Sequence, residues 1–418
     1  MRPAQLSDAV ARFRWQGRPT ACSATAVACD GRTLRVDTFT NEFWTSRQRA
    51  GSSLHEISYR ACFKPQLVDF FVERLTRPGD LVYDPFMGRG TTVIEAALLD
   101  RAAAGCDVNP LSRVLVGPRL APPTVAQVRE RLDAVDWSPG ADPPVDLPDD
   151  DLHVFYHPDT LRELRGLRSY LRGRRAAGAL DGPDRWIEMV AVNRLTGHSR
   201  GFFSAYTMPP NQAVSVASQR KINARRGQTP ELRDVRRIIL KKTRSLLRDC
   251  GVAARRRLLR RAPGTFLLTG PADRTPEIPS SSVALVVTSP PFLDVVDYAT
   301  DNWLRCWFCG IDAASVRITM ARRLEEWQAA MAAVFRELGR VLRPGGHVAF
   351  EVGEVKGGTL RLEEAVLPCG ASAGLDPIAV VVNDQAFTKT ANCWGVSNNR
   401  KGTNTNRIVV FRKPACGS

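Results

Sequence analysis

Residues 81–92 read L-V-Y-D-P-F-M-G-R-G-T-T, and residues 93–101 continue V-I-E-A-A-L-L-D-R. A short apolar run closing on an acid, a loop with glycines at 88 and 90, and a helix-forming stretch follow one another directly. That order predicts a strand, a tight loop and a helix. Glycine at 88 and 90 lets the chain turn sharply at the strand end and bring its backbone close to a ligand. The helix opening near Thr91 then offers unpaired N–H groups to an anion such as a carboxylate. No G-K-[ST] follows, so a phosphate-binding P-loop is excluded, and the full G-x-G-x-x-G dinucleotide pattern is also missing. The next strand candidate, A-A-G-C-D-V, carries Asp107, 17 residues beyond Gly90. An acid at the end of that strand is placed to bind the two ribose hydroxyls of a nucleoside cofactor.

Working outward, P-Q-L-V-D-F-F-V-E-R-L (65–75) predicts a helix stopped by Arg77-Pro78-Gly79-Asp80. Further back, A-C-S-A-T-A-V-A-C-D-G-R-T-L-R-V-D-T-F (21–39) has two alternating runs around Asp30-Gly31, a β-hairpin signal. Beyond residue 116 the rhythm breaks, with loops marked by A-P-P-T, S-P-G-A-D-P-P and L-P-D-D-D. It resumes at T-F-L-L-T-G (265–270) and V-A-L-V-V-T-S (283–289). A long amphipathic helix is expected within L-E-E-W-Q-A-A-M-A-A-V-F-R-E-L-G-R-V-L, stopped by Arg343-Pro344-Gly345-Gly346. H-V-A-F-E-V-G, P-I-A-V-V-V-N and R-I-V-V-F are the closing strand candidates. Alternating strands and helices imply an α/β fold, a doubly wound, mostly parallel sheet covered on both faces. The expected organisation is an N-terminal extension at 1–62, a catalytic domain at 63–115 and 264–418, and an insertion at 116–263.

Composition narrows the partner. Hydrophobic residues make up 44% and charged residues 24% of the 418, ordinary values for a chain with a substantial core. The net charge of +16 is not ordinary, and points to a polyanion such as nucleic acid. It is also concentrated. Arg194 to Arg261 hold 18 of the 59 basic residues and three of the 43 acids, leaving the remainder nearly balanced. Within that run, S-Q-R-K-I-N-A-R-R-G-Q-T (218–229) makes Arg220, Lys221, Arg225 and Arg226 the candidate DNA contacts. An apolar stripe in R-D-V-R-R-I-I-L-K-K-T-R-S-L-L-R-D is compatible with this, packed inward beneath a basic outer face. No stretch is apolar enough to span a membrane, and the first fifteen residues lack the apolar core of a signal peptide. A cytoplasmic, nucleoid-associated protein is therefore expected. The ten scattered cysteines read as free thiols, and Cys306 and Cys309 lack the second ligand pair a zinc site needs.

The second chemical motif is T-S-P-P-F, Thr288 to Phe292. Pro290 and Pro291 fix φ and remove two N–H donors, which leaves their carbonyls free to accept. Ser289 adds a hydroxyl, and Phe292 a face on which a planar heterocycle can stack. Acceptors beside an aromatic face suit an exocyclic amine.

D-P-F-x-G-x-G-T-T, T-S-P-P-F and F-K-P-Q-L (63–67) together resemble the S-adenosylmethionine-dependent amino methyltransferases of DNA, and S-P-P-F is most similar to those acting on cytosine N4. The resemblance spans about residues 40–115 and 264–412. It implies a seven-stranded doubly wound sheet with S-adenosylmethionine as cofactor. Phe63, Lys64, Pro65, Asp84, Phe86, Gly88, Gly90 and Thr91 would hold the methionine part, Asp107 the ribose, and Asp273 the adenine ring. V-L-R-P-G-G and T-N-T-N-R-I-V-V-F are similar to its later sheet motifs. The implied reaction is direct transfer to a flipped-out base: Phe292 stacks on it while Ser289 and the Pro290 carbonyl bind the N4 amine, with Pro291 completing the turn. Neither a covalent intermediate nor a metal is required. The basic insertion takes the place of a target-recognition region on double-stranded DNA. A restriction endonuclease as functional counterpart and a homodimer are compatible with this assignment. The alternatives are adenine N6 methylation, amine methylation of RNA and, more remotely, a non-catalytic nucleic-acid binder. Pro368-Cys369 is similar to the nucleophile motif of cytosine C5 methyltransferases, but it lies after the V-L-R-P-G-G segment and out of that family's context.

Overall fold

A computed structural model describes residues 3–29, 31–45, 51–59, 62–138, 149–208, 213–291, 298–313, 316, 321, 323–352, 354–355, 360–384 and 405–415. Asp30, Phe292, Thr403, Asn404, residues 139–144 of S-P-G-A-D-P-P and Leu147 and Pro148 of L-P-D-D-D lie outside the described residues. The chain opens with α1 (Pro3–Ala11), a small ribbon of β1 (Arg14–Trp15) and β2 (Arg18–Pro19), and the long strands β3 (Ala21–Cys29) and β4 (Arg32–Asn41). Next come α2 (Pro65–Leu75), β5 (Leu81–Asp84), α3 (Thr91–Leu98) and β6 (Ala102–Asp107). A helical stretch follows: α4 (Leu111–Leu120), α5 (Val125–Asp133), α6 (Asp149–Leu152), α7 (Pro158–Ala176), α8 (Gly182–Val192), α9 (Val216–Arg226), α10 (Val235–Leu246) and α11 (Val252–Arg261). The sheet resumes with β7 (Phe266–Thr269) and β8 (Val283–Thr288), then α12 (Tyr298–Cys309), α13 (Leu324–Val341) and β9 (Leu342–Val352). A short ribbon, β10 (Glu354–Val355) with β11 (Leu360–Arg361), leads to α14 (Leu362–Ser372), β12 (Asp376–Asp384) and β13 (Thr405–Arg412).

The central sheet has nine strands in the order β3-β4-β12-β13-β9-β8-β5-β6-β7. The expectation of seven is therefore corrected. β3 and β4 pair antiparallel, and β4 adds in parallel to β12, which extends the sheet at that edge. The five strands β9-β8-β5-β6-β7 are mutually parallel, whereas β13 runs antiparallel to both its neighbours. A buried amide fixes the added edge: Asn383 Oδ1 accepts the Phe43 and Trp44 N–H groups at 2.7 and 3.1 Å.

The sheet separates two cores, and beyond the bulge at Val283–Leu285 successive residues of β8 alternate between them. On β8, Leu285 and Val287 face the core built with α2, α3, α4, α8 and α10. Val283 and Val286 face the other, built with α13 and α14. Every residue of β8 is buried, and each such Val or Leu contributes about 1.5–3 kcal/mol of transfer free energy. R-P-G-G does end α13, yet those residues already belong to β9, where Gly345 at φ +74° lets the strand bulge between its pairings with Val283 and Leu285. The helices of 116–263 pack through α4 and α8 onto the first of the two cores. Among the described residues no helix is long and apolar enough to cross a membrane.

Candidate active site

From β5 the chain steps outward through β6 to β7, then returns to lay β8 on the other side of β5. The loops leaving β5 and β8 therefore diverge, and open α/β sheets bind ligands in the crevice this reversal creates. A cavity of about 220 Å3 occupies that position. Its walls come from the loops after four parallel strands: Pro85–Gly88 after β5, Asp107–Asn109 after β6, Gly270–Asp273 after β7, and Ser289 with Pro291 after β8. Tyr59, Cys62 and Phe63 close one side, and Trp327, Ala330, Met331 and Val334 of α13 another.

The glycine loop is shaped by its own backbone needs. Gly88 and Gly90 have φ of +48° and +74°, in the left-handed region that a side chain disfavours. A Cβ at Gly90 would also fall 2.4 Å from Val116 Cγ2, so the close approach of α4 demands glycine there. Asp107 then ties the loop to β6. Its Oδ2 accepts the Gly88 N–H and its Oδ1 the Asn109 N–H, each at 2.8 Å. Burial raises the Asp107 pKa, opposed by those two backbone bonds. Asp107 lines the cavity with only neutral partners on its carboxyl, and Phe86 and Val108 supply apolar wall beside it.

Asp84 does not reach the cavity wall. It lies beneath it, where its Oδ1 accepts the Thr288 hydroxyl at 2.6 Å and the Phe86 N–H at 3.1 Å. One carboxyl thus clips together the ends of β5 and β8 at the strand reversal. Burial pushes its pKa up to about 7, against the opposing Thr288 and Phe86 hydrogen bonds. Of the other expected residues, Phe63, Phe86, Gly88, Thr91, Asp107, Asp273, Ser289 and Pro291 line the cavity, whereas Lys64, Pro65, Gly90 and Pro290 do not. Pro65 opens α2 at its first turn, the position where a missing N–H costs nothing.

Several contributors escaped the sequence reading. Arg89, between the two glycines, turns inward and donates to the carbonyls of His55 and Ile57 at 3.2 and 2.9 Å, binding the loop to the preceding segment. Glu351 on β9 is buried beside Ser289, and accepts Asn406 Nδ2 at 2.7 Å. Burial raises its pKa, with the Ser289 and Asn406 hydrogen bonds opposing. Trp327 donates its indole N–H to the Pro291 carbonyl at 2.9 Å. Its residue type marked core at the start of an apolar stripe, and only the fold brings it to the turn. Cys369, by contrast, is buried in α14 with its thiol donating to the Ala365 carbonyl at 3.3 Å, and burial pushes its pKa up to about 11. Such a thiol is an inert packing group.

The basic run does not form one face. The segment just before α9 is tied to α12: Ala213 N–H donates to the Asp301 carbonyl at 3.0 Å, and Trp303 Nε1 donates to the Val214 carbonyl at 3.2 Å. On α9, Lys221 and Arg225 are exposed, Arg220 pairs with Asp151 at 3.2 Å, and Arg226 stacks 3.8 Å over the Tyr206 ring. Arg260 and Arg261 instead pair with Asp100, just before β6 starts, at the end of the sheet opposite the cavity.

Residues 28–111 match the DNA methylase family of N6 and N4 methyltransferases. That stretch holds the F-K-P-Q-L segment, the glycine loop and Asp107, and ends before the Ser-Pro-Pro turn. Over 74 residues, 18% of this chain and 14% of the relative, the sequence is 31% identical to type II methyltransferase M.MjaII of Methanocaldococcus jannaschii. Over 316 residues, 68% of this chain and 58% of the relative, it is 21% identical to type II methyltransferase M.BsoBI of Geobacillus stearothermophilus. The chain thus spans less than two thirds of either relative. Among solved structures, an rRNA methyltransferase from Streptomyces viridochromogenes aligns over 87% of this chain and 90% of its own, with 14% identity and a TM-score of 0.34.

Proposed function

We propose that this chain methylates the exocyclic N4 amine of a cytosine in double-stranded DNA, with S-adenosylmethionine as donor. One observation carries the reading: a single cavity is walled by Gly88 and Asp107 on one side and by Ser289 and Pro291 on the other. A nucleoside-binding acid and a turn rich in acceptors, placed at the strand reversal, suit a cofactor meeting a base. The DNA methylase match of residues 28–111 and the similarity to type II methyltransferases support DNA as substrate. Cytosine N4 rests on the serine of S-P-P-F.

S-adenosylmethionine, when bound, supplies an electrophilic methyl group on a sulfonium. Asp107 would hold its ribose hydroxyls, Phe63, Phe86, Gly88 and Thr91 its methionine part, and Asp273 its adenine; Lys64, Pro65, Asp84 and Gly90 would keep that wall in shape. The amine is unreachable inside a stacked duplex, so the base must be extruded. Phe292 is assigned the stacking face. Ser289 and the Pro290 carbonyl would accept hydrogen bonds from the two amine N–H groups and draw the nitrogen lone pair out of ring conjugation, readying it to attack the methyl carbon as its bond to sulfur breaks. Ser289, backed by the buried Glu351 carboxyl, gives the departing proton a route away from the nitrogen. Catalysis of this kind is positioning and electrostatics. Lys221, Arg225, Arg226 and Arg220 on α9 would neutralise phosphates of the duplex beside the cavity. A role in restriction-modification or as an orphan modification enzyme is compatible with this activity.

The test is to incubate duplex DNA with methyl-labelled S-adenosylmethionine and resolve the digested nucleosides. Label in N4-methylcytidine is expected. Label in N6-methyladenosine would move the acceptor to adenine, and label in RNA alone would replace the substrate. Absence of transfer to any nucleic acid would leave a binding protein.

A further inference from the structure

Two adjacent prolines make a turn that is stiff but poorly anchored. Neither Pro290 nor Pro291 has an N–H, so the turn cannot be held by donating two successive backbone hydrogen bonds to its surroundings. A carbonyl must be held from outside, and the structure supplies the donor. Trp327, 2% exposed, gives its indole N–H to the Pro291 carbonyl at 2.9 Å, while its ring forms part of the cavity wall. Tryptophan is a donor only, so this bond has one direction.

The donor itself is fixed from behind. Trp327 lies in the first turn of α13, where its own N–H bonds the Arg323 carbonyl at 3.1 Å. The next residue, Gln328, donates to the Ala365 carbonyl of α14 at 3.0 Å. Ala330, Met331 and Val334 continue the same helical face along the cavity, and Phe335, Leu338 and Val341 continue into the core. The indole is therefore presented by a helix that cannot roll without disturbing a whole layer.

We propose that Trp327 is a positioning residue for methyl transfer, holding the Ser-Pro-Pro turn by its Pro291 carbonyl. With that carbonyl held, Ser289 on the cavity wall keeps a fixed place as an acceptor for a base amine. The inference rests on the methyl-transfer reading of the same cavity. It assigns Trp327 no contact with the reacting atoms.

Trp327→Phe keeps an aromatic wall and removes the donor. Single-turnover transfer at saturating cofactor and DNA should fall about tenfold to a hundredfold, the cost typical of misplacing a reacting group by an ångström. Cofactor and DNA dissociation constants should stay within about twofold, since the ring and the DNA face remain. Trp327→His, which can restore a ring N–H, should recover part of the rate. Transfer at the wild-type rate in Trp327→Phe would overturn the proposal. So would a loss of cofactor affinity equal to the loss of rate, which would make Trp327 a wall residue and nothing more. A thermal melt checks that each variant is folded. If the wild-type protein itself transfers no methyl group, it is the reading of the activity that fails, and that outcome is distinguishable because it needs no variant.

Discussion

Replacing Asp84 by asparagine isolates the electrostatic cost of the clip at the strand reversal. The hydrogen bonds from the Thr288 hydroxyl and the Phe86 N–H both end on Oδ1 of this carboxyl. An asparagine presents the same carbonyl oxygen to both donors, so the geometry survives while the ionisation disappears. In the folded chain burial lifts Asp84 from 3.8 to about 7. Below pH 4 the residue is protonated in folded and unfolded chains alike and contributes no pH dependence. Between about 4 and 7 the unfolded chain releases its proton and the folded chain keeps it, so stability falls as pH rises. Each unit costs about 1.4 kcal/mol, and the window of roughly three units amounts to ~4 kcal/mol, fully lost above pH 7. Urea denaturation of both proteins at pH 5 and pH 8.5 measures this. The wild-type chain should lose stability across that interval more steeply than Asp84→Asn, and the variant should be the more stable of the two at pH 8.5. Equal pH dependence in the two proteins would refute a buried, proton-retaining Asp84.

Gly90→Ala should cost about 2–4 kcal/mol of stability, because it adds a Cβ in the left-handed region 2.4 Å from Val116 Cγ2; unchanged denaturation midpoints would contradict the close packing of α4 on the loop. Reversing charge at Arg225 and Arg226 should weaken DNA binding and reduce the slope of log affinity against log salt by about two, read from titrations at several salt concentrations. An unaltered slope would move the DNA face off α9. Phe292→Ala should reduce methyl transfer far more than cofactor affinity, and parallel losses in the two would argue against a base-facing ring.

The parts of this architecture legible in the sequence are those set by neighbours along the chain. The strand, glycine loop and helix of 81–98 are dictated by residues within one stretch, and Asp107 follows from its place at the next strand end. The apolar stripe of α13 announced itself by its helical spacing. What stayed hidden depends on pairings between distant residues. Nothing near β3 and β4 indicates that β4 will join β12, a partnership sealed by Asn383 and residues some 340 positions away. The mostly helical character of 116–263 was masked by its prolines, two of which start helices: Pro158 and Pro183 each fall in a first turn. Trp327 and Glu351 were invisible for a related reason, since an indole in an apolar stripe and an acid in a strand acquire meaning only when β8 ends between them.

Perturbed acids alone would not have located the site. Asp69 and Glu95 are pushed up to about 8 and 7, in each case first by burial, yet they lie with His55 behind the glycine loop, His55 Nε2 meeting Glu95 Oε2 at 2.5 Å. Neither carboxyl lines the cavity, and their perturbation is the cost of packing α2 and α3 together. Elsewhere the fold neutralises its buried acids with arginine: Asp184 is fully buried and meets both Arg131 and Arg174, and Glu337, bonded by Arg340, is held down at about 2. Asp84, Asp107 and Glu351 are instead bonded by hydroxyls, an amide and backbone N–H groups. Neutral donors orient a carboxyl without pairing it to a cation, and of the three Asp107 lines the cavity itself. What separates this trio from the other buried acids is the combination of neutral partners with the ends of β5, β6 and β9 around one cavity. That combination is the physical reason to look for chemistry at the strand reversal, independent of any motif.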